Sequence, residues 1–183
     1  MGRLTGVARL ALVACLLPSG AFAEPVDVRE GVDAARSPHA QVDWIREPGG
    51  DNPALNSGEK AHLDLQRQFV ATLARRHFGG PTTRSKQDLL TLQRIVDEGL
   101  VSKDQTYELQ ALGVALGDVM VAELGYQWVA HVDDTARTRA LRYPGSSDVV
   151  FPVTMISRRV AAGEPVDVRA LFAKSESIAR STE

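Results

Sequence analysis

His131-Val132-Asp133-Asp134 places an imidazole and a carboxylate two positions apart. On an extended strand these two side chains share a face, close enough to hold one metal ion or to pass a proton between them. A third ligand at a recognised spacing is missing, so the sequence points to no metal site and no cofactor. A polar strand face running into an acidic turn accounts for the same residues and is the preferred reading. Asp118 is the second candidate. It lies in a run that is apolar on almost every side, and a carboxylate buried there needs a partner or must be neutralised. Arg137, Arg139, Arg142, Arg158 and Arg159 are the donors considered. Asp118 is then an acid in a cleft between helix and sheet, half of a structural ion pair, or simply one exposed edge of the helix, and the two structural readings together are preferred. The third set is Arg137, Arg139 and Tyr143, which share a strand face and with Trp128 could form a recognition surface. Ser146-Ser147 follows Pro-Gly in a turn and lacks the Gly-x-Ser-x-Gly context of a nucleophile elbow.

These residues must be positioned by the stretch from Leu109 to Ile156. Ala111, Gly113, Ala115 and Gly117 alternate small residues through an apolar helix read as Lys103 to Leu124 and capped by Ser102. Small residues four apart let another backbone approach, and a helix apolar all round belongs in a core. Glu108, Gln110, Asp118 and Glu123 argue against a membrane span. After Gly125 the period changes to two. Tyr126, Trp128, Ala130 and Val132 point one way, and Gln127, Val129, His131 and Asp133 the other. Arg137–Tyr143 and Val149–Phe151 follow, separated by turns, and complete a three-stranded antiparallel meander.

Two helices precede this unit. One is read from Gly58 to His77, capped by Ser57, with Ala61, Leu65, Phe69, Val70 and Leu73 as its stripe. The other is opened by Ser85 and Asp88 and closed by Gly99. Pro152 suits the first turn of a helix that Gly163 stops, and Asp167 caps a last short helix. The expected fold is therefore α+β: a three-helix N-terminal part packed on a small three-stranded meander, with one or two short C-terminal helices. The domain is expected over 57–175, after an extended lead segment at 24–56 and before a polar tail at 176–183. Trp44-Ile45 is the apolar exception in the lead and is expected to dock on the domain.

The first residues add an address. Arg3 and Arg9 precede an apolar run, Leu10–Leu17, followed by Pro18-Ser-Gly and by Ala21-Phe-Ala23. This is a secretory signal pattern, with cleavage between Ala23 and Glu24. Export to the periplasm is the expectation. A lipoprotein anchored through Cys15 is the alternative, because Leu12-Val-Ala-Cys15 resembles a lipobox, and only in that case would the protein meet a membrane. Cys15 is the chain's one cysteine, so a chain cleaved after Ala23 has no thiol chemistry and no disulfide. A net charge of −2 and 5% aromatic content argue against a nucleic-acid partner. Glu24-Pro-Val-Asp-Val-Arg29 recurs as Glu164-Pro-Val-Asp-Val-Arg169, without a surrounding repeat.

Leu112-Gly-Val-Ala-Leu-Gly-Asp118, Leu124-Gly125, Trp128-Val129, Leu141-Arg-Tyr-Pro-Gly145, Phe151-Pro-Val-Thr-Met-Ile-Ser157 and Gly163-Glu-Pro-Val-Asp167 occur in order. With these motifs the chain resembles the bacterial family called domain of unknown function DUF3806, over about residues 85–173. The resemblance implies a small α+β bacterial domain. It implies no reaction and carries over no site residue. The functional expectation is a non-enzymatic envelope protein that recognises a macromolecular partner, an envelope protein being the expected one. The alternative is a small envelope hydrolase using Asp118 or the His131/Asp133 pair. Convergence of those three residues in one pocket would favour the enzyme.

Overall fold

A computed structural model describes residues 43–45, 52–133 and 136–181. The signal segment with Cys15, Ala23 and Glu24, most of the lead, the first copy of the repeated hexapeptide and Asp134 lie outside the described residues. In chain order the elements are β1 (Trp44–Ile45), α1 (Ser57–Phe78), α2 (Asp88–Asp97), α3 (Thr106–Leu124), β2 (Gln127–Val132), β3 (Arg137–Arg142), β4 (Val149–Val150), α4 (Pro152–Ala162) and α5 (Val168–Arg180).

The class is α+β, as expected, with five helices and a four-stranded antiparallel sheet ordered β1-β4-β3-β2. The expected three-strand meander gains β1 from the lead segment, with Trp44 opposite Val150 and Ile45 opposite Val149. Two residues flanked by Pro- and Gly-rich sequence carry no strand signal of their own, and β4 supplies the missing hydrogen-bonding edge. The far edge is also covered: Ala54 bridges to Val129, and the Ala130 N–H donates to the Pro53 carbonyl at 2.9 Å.

α1 begins one residue earlier than expected. Asn56, not Ser57, is the cap. Its side chain accepts from the Glu59 N–H at 2.8 Å, and the Glu59 carboxylate accepts from the Asn56 N–H at 2.7 Å. Its buried face is Leu63, Gln66, Val70 and Ala74; of the predicted row Val70 is buried, Phe69 and Leu73 pack partly buried against the core, and Ala61 and Leu65 are exposed. Gln66 stands where the apolar stripe would be read as interrupted, which displaced the assignment by part of a turn.

α3 is buried continuously from Leu109 to Met120. It starts at Thr106, three residues later than read, because the Ser102 N–H is taken by the Gln105 side chain in a preceding turn. Two of its glycines make the architecture. A Cβ on Gly113 would fall 2.3 Å from the Pro152 carbonyl oxygen and 2.5 Å from that of Val153, so α4 crosses α3 backbone to backbone. A Cβ on Gly117 would fall 2.6 Å from the Trp128 ring, so the indole packs directly against the helix backbone there. Leu112, Leu116 and Met120 carry the core between α1, α2 and α5, each large side chain contributing about 1.5–3 kcal/mol by burial.

α5 also departs from expectation. It is capped by Asp167, whose side chain accepts from the Ala170 N–H at 2.9 Å, but it runs on to Arg180 instead of fraying after Lys174. Ser175 and Ala179 are buried, and the Tyr126 hydroxyl donates to the Ser175 carbonyl at 2.9 Å. The second hexapeptide copy is the connector into α5. The Gln93 amide spans it, donating to the Val166 carbonyl and accepting from the Val168 N–H, both at 2.9 Å, while Val168 enters the core.

Candidate functional site

Asp118 sits on α3 with 6% of its surface exposed, where α3 meets α1 and the face of β2 that carries Trp128. Arg67 of α1 grips it through both arms, Nε to Oδ2 at 2.6 Å and Nη2 to Oδ1 at 2.7 Å. The Trp128 indole N–H donates to Oδ1 at 3.0 Å, held in place by its packing on Gly117. Asp64 takes the remaining arm of Arg67 at 2.8 Å. The hydrogen bonds that Arg67 donates to Asp118, ahead of the opposing effect of burial, raise the Arg67 pKa above its ordinary value, so the cation is locked in. The donor is therefore none of the five arginines offered by the sequence. The crossing of α1 over α3 decides the pairing, across 51 residues of chain. A bidentate guanidinium and an indole N–H stabilise a carboxylate as an anion and occupy both its oxygens. That arrangement suits an ion pair better than a base.

Beside the pair a cleft of about 200 Å³ opens between α1, the loop before α2 and α3. Its lining includes Arg67, Gln68, Thr82, Arg84, Asp88 and Asp118. Asp88 is buried, and its carboxylate accepts from the Thr83 N–H at 2.8 Å and the Arg84 N–H at 2.6 Å. This grip holds Arg84 at φ 60°, and among the described residues Arg84 is the one non-glycine with positive φ. A side chain in the left-handed region costs roughly 1–2 kcal/mol relative to the right-handed one. The strain sets the Arg84 guanidinium at the mouth of the cleft, 64% exposed, with Nε 3.8 Å from Asp118 Oδ2. The sequence marks Ser85 and Asp88 as the opening of α2. The actual role of Asp88 is to shape the preceding turn.

His131 and Asp133 lie elsewhere. Trp128 and Ala130 face the helices, packing with Leu55, Leu63, Val114 and Val153, while Val129 clusters with Ala140, Val149 and Phe151 on the other face. His131 shares that second face. Its Nδ1 lies 3.0 Å from the Asn52 amide oxygen, and its ring meets Phe151 edge-on at 5.5 Å. The sheet thus separates His131 from Asp118. Asp133 closes the β2–β3 turn: Oδ1 accepts from the Ala136 N–H at 2.9 Å, and its own N–H donates to the Ala136 carbonyl at 3.0 Å. Among the described residues, no three His, Cys, Asp or Glu side chains come together in a way that could hold a metal ion.

Arg137, Arg139 and Tyr143 form no flat exposed patch. Arg137 is exposed and paired with Glu59 in bidentate fashion, at 2.7 and 3.1 Å. Arg139 turns inward and donates to the Gln66 side-chain oxygen at 2.8 Å. Burial lowers its pKa from the ordinary arginine value, with Glu59 and then Tyr107 opposing the shift. Tyr143 packs edge-on against Tyr126, with ring centres 5.6 Å apart. The Tyr126 hydroxyl is pushed up to about 12 by burial first, then by Asp148 and Tyr143.

Sequence reading missed one further charged cluster. Asp43, buried at the start of β1, is paired with Arg158 and Arg159 of α4, and its carbonyl accepts from the Phe151 N–H at 2.9 Å. Lys174 of α5 stands over the Trp44 ring, 3.4 Å from its centre. Burial alone would raise the Asp43 pKa, but Arg159, Arg158 and Lys174 hold it below the usual carboxylate value. The signal was the Trp-Ile pair expected to dock. Its acidic neighbour does the fastening.

The architecture defines a small α+β domain with a four-stranded antiparallel sheet. Within it, residues 88–172, from the start of α2 into α5, match the family described as Domain of unknown function (DUF3806), as the motif resemblance implied. The chain is also similar to a crystal structure from Bacteroides thetaiotaomicron VPI-5482, at 18% identity and a TM-score of 0.63. That likeness covers 72% of this chain and 48% of the other, so this chain spans about half the length of that protein, and what they share is the fold. Comparison with curated proteins gives no match.

Proposed function

We propose that this is an exported bacterial envelope protein whose domain recognises a partner protein without catalysing a reaction on it, and that the cleft beside Asp118 receives the partner's side chain. The carrying observation is Arg84. A non-glycine residue is held in a strained backbone conformation by a buried carboxylate, and the strain aims a largely exposed guanidinium over the cleft. Strain that the surrounding structure enforces clusters at functional positions. The other charges of the cleft are already engaged: Asp118 by Arg67 and Trp128, Asp88 by backbone N–H groups. The exposed charge at the mouth is the Arg84 guanidinium, held to Asp118 only at 3.8 Å, which suits an acidic side chain on the partner. Export rests on the Arg-bearing, apolar and Ala-x-Ala segments of residues 1–23. No helix of the described residues is long and apolar enough to cross a membrane.

Two measurements test this reading. Mass analysis of the protein recovered from the envelope fraction should give a chain beginning at Glu24. A lipid-modified Cys15 would replace the periplasmic reading with the anchored one, and an uncleaved cytoplasmic chain would remove both. Affinity capture from that fraction with the exported chain should retain a defined partner that Arg84→Ala loses. Equal retention by both forms, or none by either, would overturn the role of the cleft.

A further inference from the structure

On the other flank of α1, against β3, lies a charged group whose partners are incomplete. Arg139 is partly buried, and its guanidinium carries five N–H donors, yet it makes one hydrogen bond, to Gln66 Oε1. Gln66 is fully buried, and with its oxygen turned to Arg139 its Nε2 group has no acceptor. Two sets of unfilled donors thus stand side by side, one of them cationic. Glu59, the nearest acid acting on Arg139, is consumed by Arg137 and by the Asn56 N–H. Tyr107 is the other group felt by Arg139. Burial raises its pKa, so it stays neutral, and its ring packs edge-on to His62 at 5.5 Å. A desolvated guanidinium with no carboxylate in hydrogen-bond contact is costly, and an amide N–H₂ left unpaired in the interior adds to the cost.

We propose that Arg139 and Gln66 form a seat for a carboxylate group, which fills the guanidinium fork and accepts from Gln66 Nε2. A carboxylate matches the fork in shape and charge, and its second oxygen reaches the neighbouring amide. Tyr107, which acts on Arg139, and His62, packed edge-on against it, are both partly exposed. This seat is independent of the cleft at Arg84, which lies on the opposite flank of α1.

The test is a titration of the whole exported chain, following the Nε–H resonance of Arg139 at fixed ionic strength. Three probes are compared: sodium acetate, a blocked glutamate-rich peptide, and sodium chloride. The resonance should shift and saturate with acetate, the peptide or both, and not with chloride. Response to acetate identifies a free carboxylate as sufficient, and response to the peptide alone identifies an acidic protein side chain as the occupant. No saturating response to either carboxylate probe overturns the seat. The responding probe should also raise the melting temperature of the wild type but not of Arg139→Met. Gln66→Leu should weaken its apparent affinity about tenfold, the loss of one charge-assisted hydrogen bond. An equal melting shift in Arg139→Met would place the binding elsewhere and count against the proposal.

Discussion

Two charged side chains flank α1, and the fold treats them in opposite ways. Asp118 receives Arg67 through two hydrogen bonds and Trp128 through a third, and Arg67 is itself completed by Asp64. Arg139 receives one neutral acceptor, whose own amide is left unfilled. The difference separates two uses of a buried charge. A fully paired ion fixes how two helices cross, and removing one partner exposes the other to an interior that cannot solvate it. An incompletely paired ion is tolerated when something outside the chain completes it. The sequence offers Arg139 both as a donor to Asp118 and as part of a recognition face with Arg137 and Tyr143. Only the partner lists distinguish anchor from seat.

The largest effect expected follows from the anchor. Asp118→Ala leaves Arg67 and the Trp128 N–H without their acceptor and should cost about 3–5 kcal/mol in urea unfolding. A loss within experimental error would mean the pair contributes nothing, and the contrast with Arg139 would fail. Gly117→Ala acts on the same anchor from behind. The added methyl would stand 2.6 Å from the Trp128 ring, so the indole must move away, at about 1–3 kcal/mol. The Trp128 Nε1–H resonance should lose its hydrogen-bonded shift, and an unchanged resonance would show that the ring is not held by the glycine.

Asp43 gives a third comparison, a paired acid that fastens β1 instead of two helices. Its folded pKa is depressed, so its contribution is complete above the usual carboxylate value and disappears as pH falls through the lowered folded value. Asp43→Asn should therefore cost about 1–3 kcal/mol at neutral pH and nothing in strong acid. A difference that persists unchanged into acid would mean the carboxylate charge is not what holds β1. The smallest effect has the opposite sign. Arg84→Gly relieves the left-handed strain and should leave stability unchanged or raise it by about 1 kcal/mol, while partner capture is lost. Loss of both together would make Arg84 a structural residue.

Much of the frame was readable from local chemistry. Asp167 caps α5, Gly125 and Gly163 end α3 and α4 in the left-handed region, and Pro152 opens α4, because each of these signals acts within a few residues. The alternation after Gly125 placed Trp128 and His131 on opposite faces and so already held the reason they cannot share a site. What escaped depends on distant contact. β1 exists only against β4, and Arg67 was never among the arginines considered for Asp118. The face of α1 was displaced because Gln66 occupies a core position. Arg84 carries no sequence mark of a left-handed residue, and the clue was Asp88, four positions later, whose carboxylate holds the turn. Extension of α5 past Lys174 followed from Ser175 and Ala179, two small residues four apart that a polar tail concealed.

The contrast between anchor and seat is tested most directly by the unfolding free energy of Arg139→Met in urea, without added carboxylate, beside that of the wild type. An apolar side chain of similar reach opposite Ala130 removes the charge. Because Gln66 Oε1 also loses its donor, the account predicts a loss of no more than about 1–2 kcal/mol, well below that of Asp118→Ala. A loss comparable to that of Asp118→Ala would contradict it, because Arg139 would then be an anchor in its own right and the fold would need no outside group to complete it.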